Sequence, residues 1–207
     1  MLNRKRPPLR VVPEGRNEYI PASDAEIIEA FARGDRRATE LVYDRLFAAV
    51  DSTLYRVVGR RESDHDDLVQ SAFEQIVITL SRRSFAGGCT LHGWAAAIAC
   101  HVGLNAIRSR RRARRIFDPD AEVEAHPEGA HRDVEAQVAA RRELERMRAH
   151  LAEMDPDRAE TVLVHDVFGA SLAETAKLMG VSMTAAQSRL VRGRRDLRER
   201  MAREVSE

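Results

Sequence analysis

The sequence predicts an all-α fold: two helical domains joined by a flexible acidic linker, the C-terminal one a helix-turn-helix. Three observations predict it. Charged residues make up 32% of the 207 positions and aromatics only 5%, with Ala, Leu, Arg and Glu abundant, which favours helices over sheets. Apolar residues recur at helical spacing in one segment after another, as in Leu68, Ala72, Ile76 and Leu80. Between Phe117 and Gly129 that pattern collapses into an acidic, proline-broken stretch carrying Asp118, Pro119, Asp120, Glu122, Glu124, Pro127 and Glu128, which reads as a linker. The chain therefore divides into a mobile tail (1–20), a first helical domain (21–115), the linker (116–135) and the helix-turn-helix domain (136–207).

The tail holds three prolines, a glycine and no sustained period. Ser23-Asp24-Ala25-Glu26 is a capping box, so a short helix runs to about Ala32 before Gly34 breaks it. A long helix follows from about Asp35 to Val58, with Leu41, Phe47 or Val50, Leu54 and Val57 on its buried side, and Gly59 ends it. Ser63-Asp64-His65-Asp66-Asp67 opens the next helix, because carboxylates in a first turn complement the positive end of the helix dipole. Its apolar face, including Phe73 and Val77, continues to about Ser81. Residues 82–91 form a loop with a Gly87-Gly88 break, and a further helix runs from about His92 to Arg114. Gly103 in its middle costs up to about 1 kcal/mol relative to Ala, which predicts a bend or a close approach to another helix. Beyond the linker, helices are expected at about 134–153 and 156–167, the latter opened by Asp155-Pro156 with proline in the first turn.

The richest stretch is Ser171–Arg198. Leu172, Ala176 and Met179 make one apolar face, Gly180 suits a left-handed helix end, and Ser182 is a ready N-cap for a second helix. Ala186, Leu190 and Leu197 turn inward. That leaves Thr184, Ala185, Gln187, Ser188, Arg189 and Arg192 outward near the helix start, beside Ser182, where a recognition helix enters a major groove. Short polar groups there can approach base edges, while Arg189, Arg192, Arg194 and Arg195 can neutralise phosphates. A plain helical hairpin with a solvated basic face is the alternative reading.

Net charge is only +1, so distribution says more than the sum. Six arginines fall in the eight positions Arg108–Arg115, more than a helix C-terminus needs, which points to an anionic partner such as nucleic acid. The acidic start Asp64–Asp67, followed by Leu68, Gln70 and Phe73, serves equally as a cap or as a half-polar surface for a partner helix. Two cysteines, Cys89 and Cys100, make no disulfide framework. Cys89, His92, Cys100 and His101 have the residue types of a metal site, the basis of an enzyme alternative, but Cys100 and His101 point to different helix faces and no second knuckle is present. No catalytic signature or phosphate-cradling glycine loop appears, so no enzyme, cofactor or metal is expected. The basic N-terminus lacks an apolar stretch, and the longest apolar run, Trp94–Cys100, is far too short to span a bilayer, which predicts a cytoplasmic protein without membrane insertion.

Taken together, residues 22–115 and 136–204 resemble a bacterial RNA polymerase sigma factor of the extracytoplasmic-function type. The second part is similar to the pattern S-x-x-E-I-A-x-x-L-G-x-S-x-G-T-V-K-S-R-L-x-R-A-R-x-x-L, with Ser171, Glu174, Ala176, Met179, Gly180, Ser182, Ser188, Arg189, Leu190, Arg192, Arg194 and Leu197 in register. Thr184, Ala185 and Gln187 stand where the family usually has Gly, Thr and Lys. Asp64-His65-Asp66-Asp67-Leu68-Val69-Gln70-Ser71-Ala72-Phe73 is similar to D-x-x-D-L-V-Q-x-x-F, and the resemblance implies that Asp64, Asp66, Asp67, Leu68, Gln70 and Phe73 contact the core polymerase. Trp94-Ala95-Ala96-Ala97-Ile98-Ala99 resembles W-L-x-x-I-A, which opens the family's melted-strand helix. The resemblance thus implies strand capture by Phe85, Trp94, Asn105, Arg108, Arg111 and Arg112, through stacking and a basic channel. Core polymerase, duplex and single-stranded promoter DNA, and an anti-sigma protein are the implied partners. A stand-alone helix-turn-helix regulator or adaptor, not acting through polymerase, is the rival reading.

Overall fold

The computed structural model describes residues 23–61, 63–85, 87–117 and 132–204. The expected tail and most of the expected linker lie outside the described residues. Helices α1 (Asp24–Ala32), α2 (Arg36–Val58), α3 (His65–Ser81) and α4 (Leu91–Phe117) form the first half. Helices α5 (Arg132–Glu153), α6 (Pro156–Val162), α7 (Leu172–Leu178) and α8 (Met183–Glu204) form the second. A π-helical turn, Leu163–Val167, extends α6, with the Phe168 N–H donating to the Leu163 carbonyl at 3.0 Å. No strand occurs among the described residues.

Local chemistry sets most helix ends. The Ser23 hydroxyl accepts from the Glu26 N–H while the Glu26 carboxylate accepts from the Ser23 N–H, closing the expected capping box. Gly59 ends α2 at φ 93°, a left-handed conformation that a β-carbon would strain. The start of α4 is held from a distance: the Asp24 carboxylate accepts from the Leu91 N–H at 2.8 Å.

The first core gathers Ile27, Val42, Leu46, Val50, Leu54, Val69, Ala72, Ile76, Leu80, Leu91, Ala95 and Ala99. On α2 the buried stripe runs Ala38, Val42, Leu46, Val50, Leu54, so Val50 is inside and Phe47 is 39% exposed. Gly103 lies inside α4, which is one α-helix from Leu91 to Phe117. A β-carbon there would lie 2.9 Å from Val57 Cγ1, so its role is close approach to α2. Gly193 does the same for α8 on α6, where a β-carbon would meet Val162 Cγ2 at 2.7 Å and the Arg158 carbonyl at 3.0 Å.

A second core crosses the two halves. Val57, Cys100 and Leu104 pack with Leu151, Met154, Ala159 and Leu163, flanked by Ile107, Met147, Phe168 and Leu197. The halves are therefore docked through apolar side chains as well as joined in sequence.

Candidate nucleic-acid interface

In the helix-turn-helix, Ser171 and Glu174 form a second capping box at α7. Gly180 turns the chain at φ 63°, and the Val181 N–H donates back to the Ala176 carbonyl at 2.9 Å. Ser182 caps α8, its Oγ accepting from the Ala185 N–H at 3.2 Å. That bond occupies one lone pair of the hydroxyl, so Ser182 organises the helix start. Ala186 and Leu190 are buried, which turns Thr184, Gln187 and Arg192 outward as exposed groups and leaves Ala185, Ser188 and Arg189 half-buried.

The cations on α8 are not equivalent. Arg189 lies 2.6 Å from the Asp157 carboxylate on α6. Arg194 grips Asp166 with two donors at 2.9 and 2.5 Å, and this hydrogen bonding holds the Asp166 carboxyl below its usual range against the opposing effect of burial. Arg194 thus ties α8 to the π turn. Arg192 is exposed on the outward face of α8.

On the first half, Asp66, Asp67 and Gln70 are exposed along α3, and Leu68 is half-buried. Asp64 is engaged elsewhere: Arg110 on α4 donates to both its oxygens at 2.6 and 2.8 Å, which lowers its carboxyl pKa, and its side chain makes no cap to α3. Phe73 is only 8% exposed, beneath Tyr43 with ring centroids 4.6 Å apart. The exposed aromatic surface beside Phe73 is instead Tyr43 and Phe47 on α2, themselves 5.3 Å apart. An aromatic pair spaced i,i+4 outside the buried stripe was the sequence signal for them.

Phe85 and Trp94 form a tilted ring pair against the first core, with centroids 4.9 Å apart and planes at 56°, both half-buried. Asn105 Nδ2 sits 2.9 Å from His101 Nε2, whose Nδ1 lies 3.1 Å from Glu160 of α6. The Arg108 Nε donates to the Ala152 carbonyl at 3.3 Å, while its Nη2 is buried without a hydrogen-bond partner. Desolvation consequently pulls its pKa down. Arg111 pairs with Glu153 of α5 at 2.5 Å, and Arg112 is exposed. The structure therefore brings Asn105, Arg108 and Arg111 together on a face that meets the second half. Glu153, Glu160 and His101 are participants that local sequence patterns do not reveal, because they meet only across the fold.

Cys100 is fully buried in the second core, whereas Cys89 and His92 line a cleft of about 350 Å³ with Arg56, Phe168 and Glu174. Among the described residues no group of three His, Cys, Asp or Glu is placed to hold a metal ion. No described helix is long and apolar enough to cross a membrane.

Residues 42–113 match the family of sigma-70 region 2 and residues 144–197 match that of sigma-70 region 4. The chain is similar to the ECF RNA polymerase sigma factor SigM of Mycobacterium tuberculosis, at 31% identity over 87% of this chain and 84% of that one. It is also similar to the RNA polymerase sigma factor NccH of Alcaligenes xylosoxydans xylosoxydans, at 29% identity over 86% and 94%. Among solved structures, CnrH in complex with the cytosolic domain of CnrY aligns at a TM-score of 0.50 and 23% identity, covering 86% of this chain and 97% of that chain, a likeness of fold. With both sigma-70 regions on one chain and relatives matching along most of its length, the chain belongs to the ECF family of RNA polymerase sigma factors.

Proposed function

We propose that this sigma factor, which directs transcription initiation, divides promoter recognition between its two halves. The first domain (21–115) docks on core RNA polymerase through Asp66, Asp67, Gln70 and the Tyr43–Phe47 surface, and holds the melted promoter strand along Phe85, Trp94 and α4. The second (136–207) reads duplex DNA upstream with the outward residues of α8. Linking two modest contacts through polymerase raises effective concentration, so neither half needs high affinity alone. The protein works by binding in the cytoplasm rather than by catalysis, and an anti-sigma protein is its regulator.

The observation that carries this reading is the coexistence of two separate exposed surfaces, acidic and aromatic on α2 and α3, polar and basic on α8. A stand-alone regulator needs only the helix-turn-helix and has no use for the region 2 match over 42–113. The test is reconstitution of the purified chain with core polymerase and a genomic fragment library, scored for promoter-dependent transcripts. Absence of core binding overturns the proposal and leaves the regulator.

A further inference from the structure

Helices α1, α3 and α7 end in the same turn, and one of the three departs from its usual residue. Each passes through a right-handed C-cap, Arg33, Arg82 or Met179, into one residue of left-handed backbone. That residue's N–H donates to the carbonyl three positions back, and the next N–H donates to the one five positions back. The pairs are Gly34 to Phe31 and Asp35 to Ala30, Arg83 to Leu80 and Ser84 to Thr79, Gly180 to Lys177 and Val181 to Ala176. Glycine fills the left-handed position at Gly34 and Gly180. The third is Arg83 at φ 52°, the one non-glycine residue of positive φ among the described residues. A bulky side chain there is a backbone outlier, and such strain persists where something else requires the side chain.

The described fold makes little use of this side chain. Arg83 is exposed, and its guanidinium reaches only the Ala32 carbonyl, from Nη2 at 3.4 Å, long for a hydrogen bond. Compensation of the helix dipole does not account for it, because Arg82, one position earlier in unstrained right-handed backbone, already places a cation at the α3 C-terminus. The Ala32 contact does fix where the cation sits: beside the end of α1, where Arg33 follows, and two positions before Phe85 of the Phe85–Trp94 pair. Arg33 and Arg82 are exposed as well. Arg33 makes a 3.7 Å approach to exposed Glu29, and Arg82 has no side-chain hydrogen bond or ion pair among the described residues. The ends of α1 and α3 thus bring three cations into one exposed patch at the chain's entry to the aromatic pair.

Single-stranded DNA is held by bases on aromatic rings together with cations that track the backbone between them. We propose that Arg83 keeps its strained position in order to bind a phosphate of the melted promoter strand, flanked by Arg82 and Arg33, and that the fold gives up stability for this contact. The guanidinium fork bridges two phosphate oxygens, a stronger partner than one carbonyl at 3.4 Å. The proposal rests on the reading that Phe85 and Trp94 hold the strand. It makes stability and strand binding move in opposite directions, which a merely structural arginine does not.

The experiment pairs a thermal melt of the full chain with binding by the holoenzyme assembled from it and core polymerase. The probe is a promoter fragment recovered from the genomic library and made with a mismatched bubble, so that strand capture is read without melting. Arg83→Gly is expected to raise Tm by about 2–4 °C. The same variant should bind the bubble about fivefold more weakly, with core affinity unchanged. Its log–log salt slope should shrink by about 0.7, the loss of one phosphate contact on a single strand. Arg83→Lys, which keeps both charge and strain, should match the parent in Tm and stay within about twofold in affinity. Arg142→Ala, an exposed cation on α5, is expected to stay within about twofold on the bubble, which separates a local contact from loss of overall charge.

A Tm that stays put or falls in Arg83→Gly, unfolding included, shows that the fold itself needs the arginine and overturns the proposal. So does an unmoved bubble affinity, or an equal loss in Arg142→Ala. A chain that forms no holoenzyme, or a parent holoenzyme that does not bind the bubble, overturns the strand-holding reading and this contact with it. Tight binding by the parent with Arg83→Gly unmoved sinks the phosphate contact alone.

Discussion

Gly103→Ala should destabilise the protein even though alanine is the better helix former. The added β-carbon would lie 2.9 Å from Val57 Cγ1 and 3.2 Å from Val57 Cβ, closer than van der Waals contact allows. Val57 cannot swing aside freely, because a β-branched residue in a helix has one strongly preferred rotamer. Overpacking a tight core costs about 1–3 kcal/mol, and the helix-propensity gain of Gly→Ala offsets about 1 of that. The net expectation is a loss of about 0–2 kcal/mol, or a fall of up to about 8 °C in Tm for a chain of this size. A double-mutant cycle sharpens the expectation, since Val57→Ala removes the obstructing methyls. Urea unfolding followed by circular dichroism on the parent, both single variants and the double should give a coupling of about 1 kcal/mol or more, with the double more stable than the two losses predict by addition. Additive losses, or a Gly103→Ala protein more stable than the parent, would refute close approach to Val57 as the reason for glycine.

The His101–Glu160 contact should depend on pH. The hydrogen bond that His101 Nδ1 donates to the Glu160 carboxylate raises the His101 pKa above its ordinary 6.5, against desolvation and the nearby Arg108 charge. A raised folded-state pKa means that the contact contributes fully below about 6.5 and is lost as pH rises through the raised value. Glu160→Gln should move the His101 titration down when followed by NMR, and an unmoved titration would remove Glu160 as the cause. Tyr43→Ala with Phe47→Ala should weaken core polymerase binding at a stability cost of about 1–2 kcal/mol, set by the Tyr43 ring over Phe73, whereas Phe73→Ala, buried beneath Tyr43, should cost about 3–5 kcal/mol. Equal Tm losses in a thermal melt would show that the aromatic pair is structural. Arg192→Ala should weaken duplex binding evenly across sequences and lower the salt slope by about 1. Arg189→Ala should instead relax discrimination at a single base pair by about 1–3 kcal/mol with core binding intact, and a loss of core binding would mean that α8 has been assigned the wrong partner.

The sequence by itself determined the helices, their ends and the helix-turn-helix. The capping box at Ser23, the glycine helix ends at Gly59 and Gly180, and the N-cap at Ser182 act within a few residues, so their signals are local and complete. Periodicity carried less on α2, where it left Phe47 and Val50 as alternatives, because which of two neighbouring stripes is buried depends on the helices packed against it. Only the tertiary structure decided what the charged residues do. Asp64 had the profile of a cap or a partner contact, yet Arg110, 46 positions on, takes both its oxygens. Arg194 had the profile of a phosphate contact and is a strut to Asp166. Arg108 and Arg111 sat in an arginine block that pointed to an anion, and the fold supplies acceptors from within, the Glu153 carboxylate to Arg111 and the Ala152 carbonyl to Arg108. A long, flexible cation has no preferred partner in sequence. Its partner is whichever carboxylate or carbonyl the packing of other helices brings within reach, and here that packing comes from the second half of the chain.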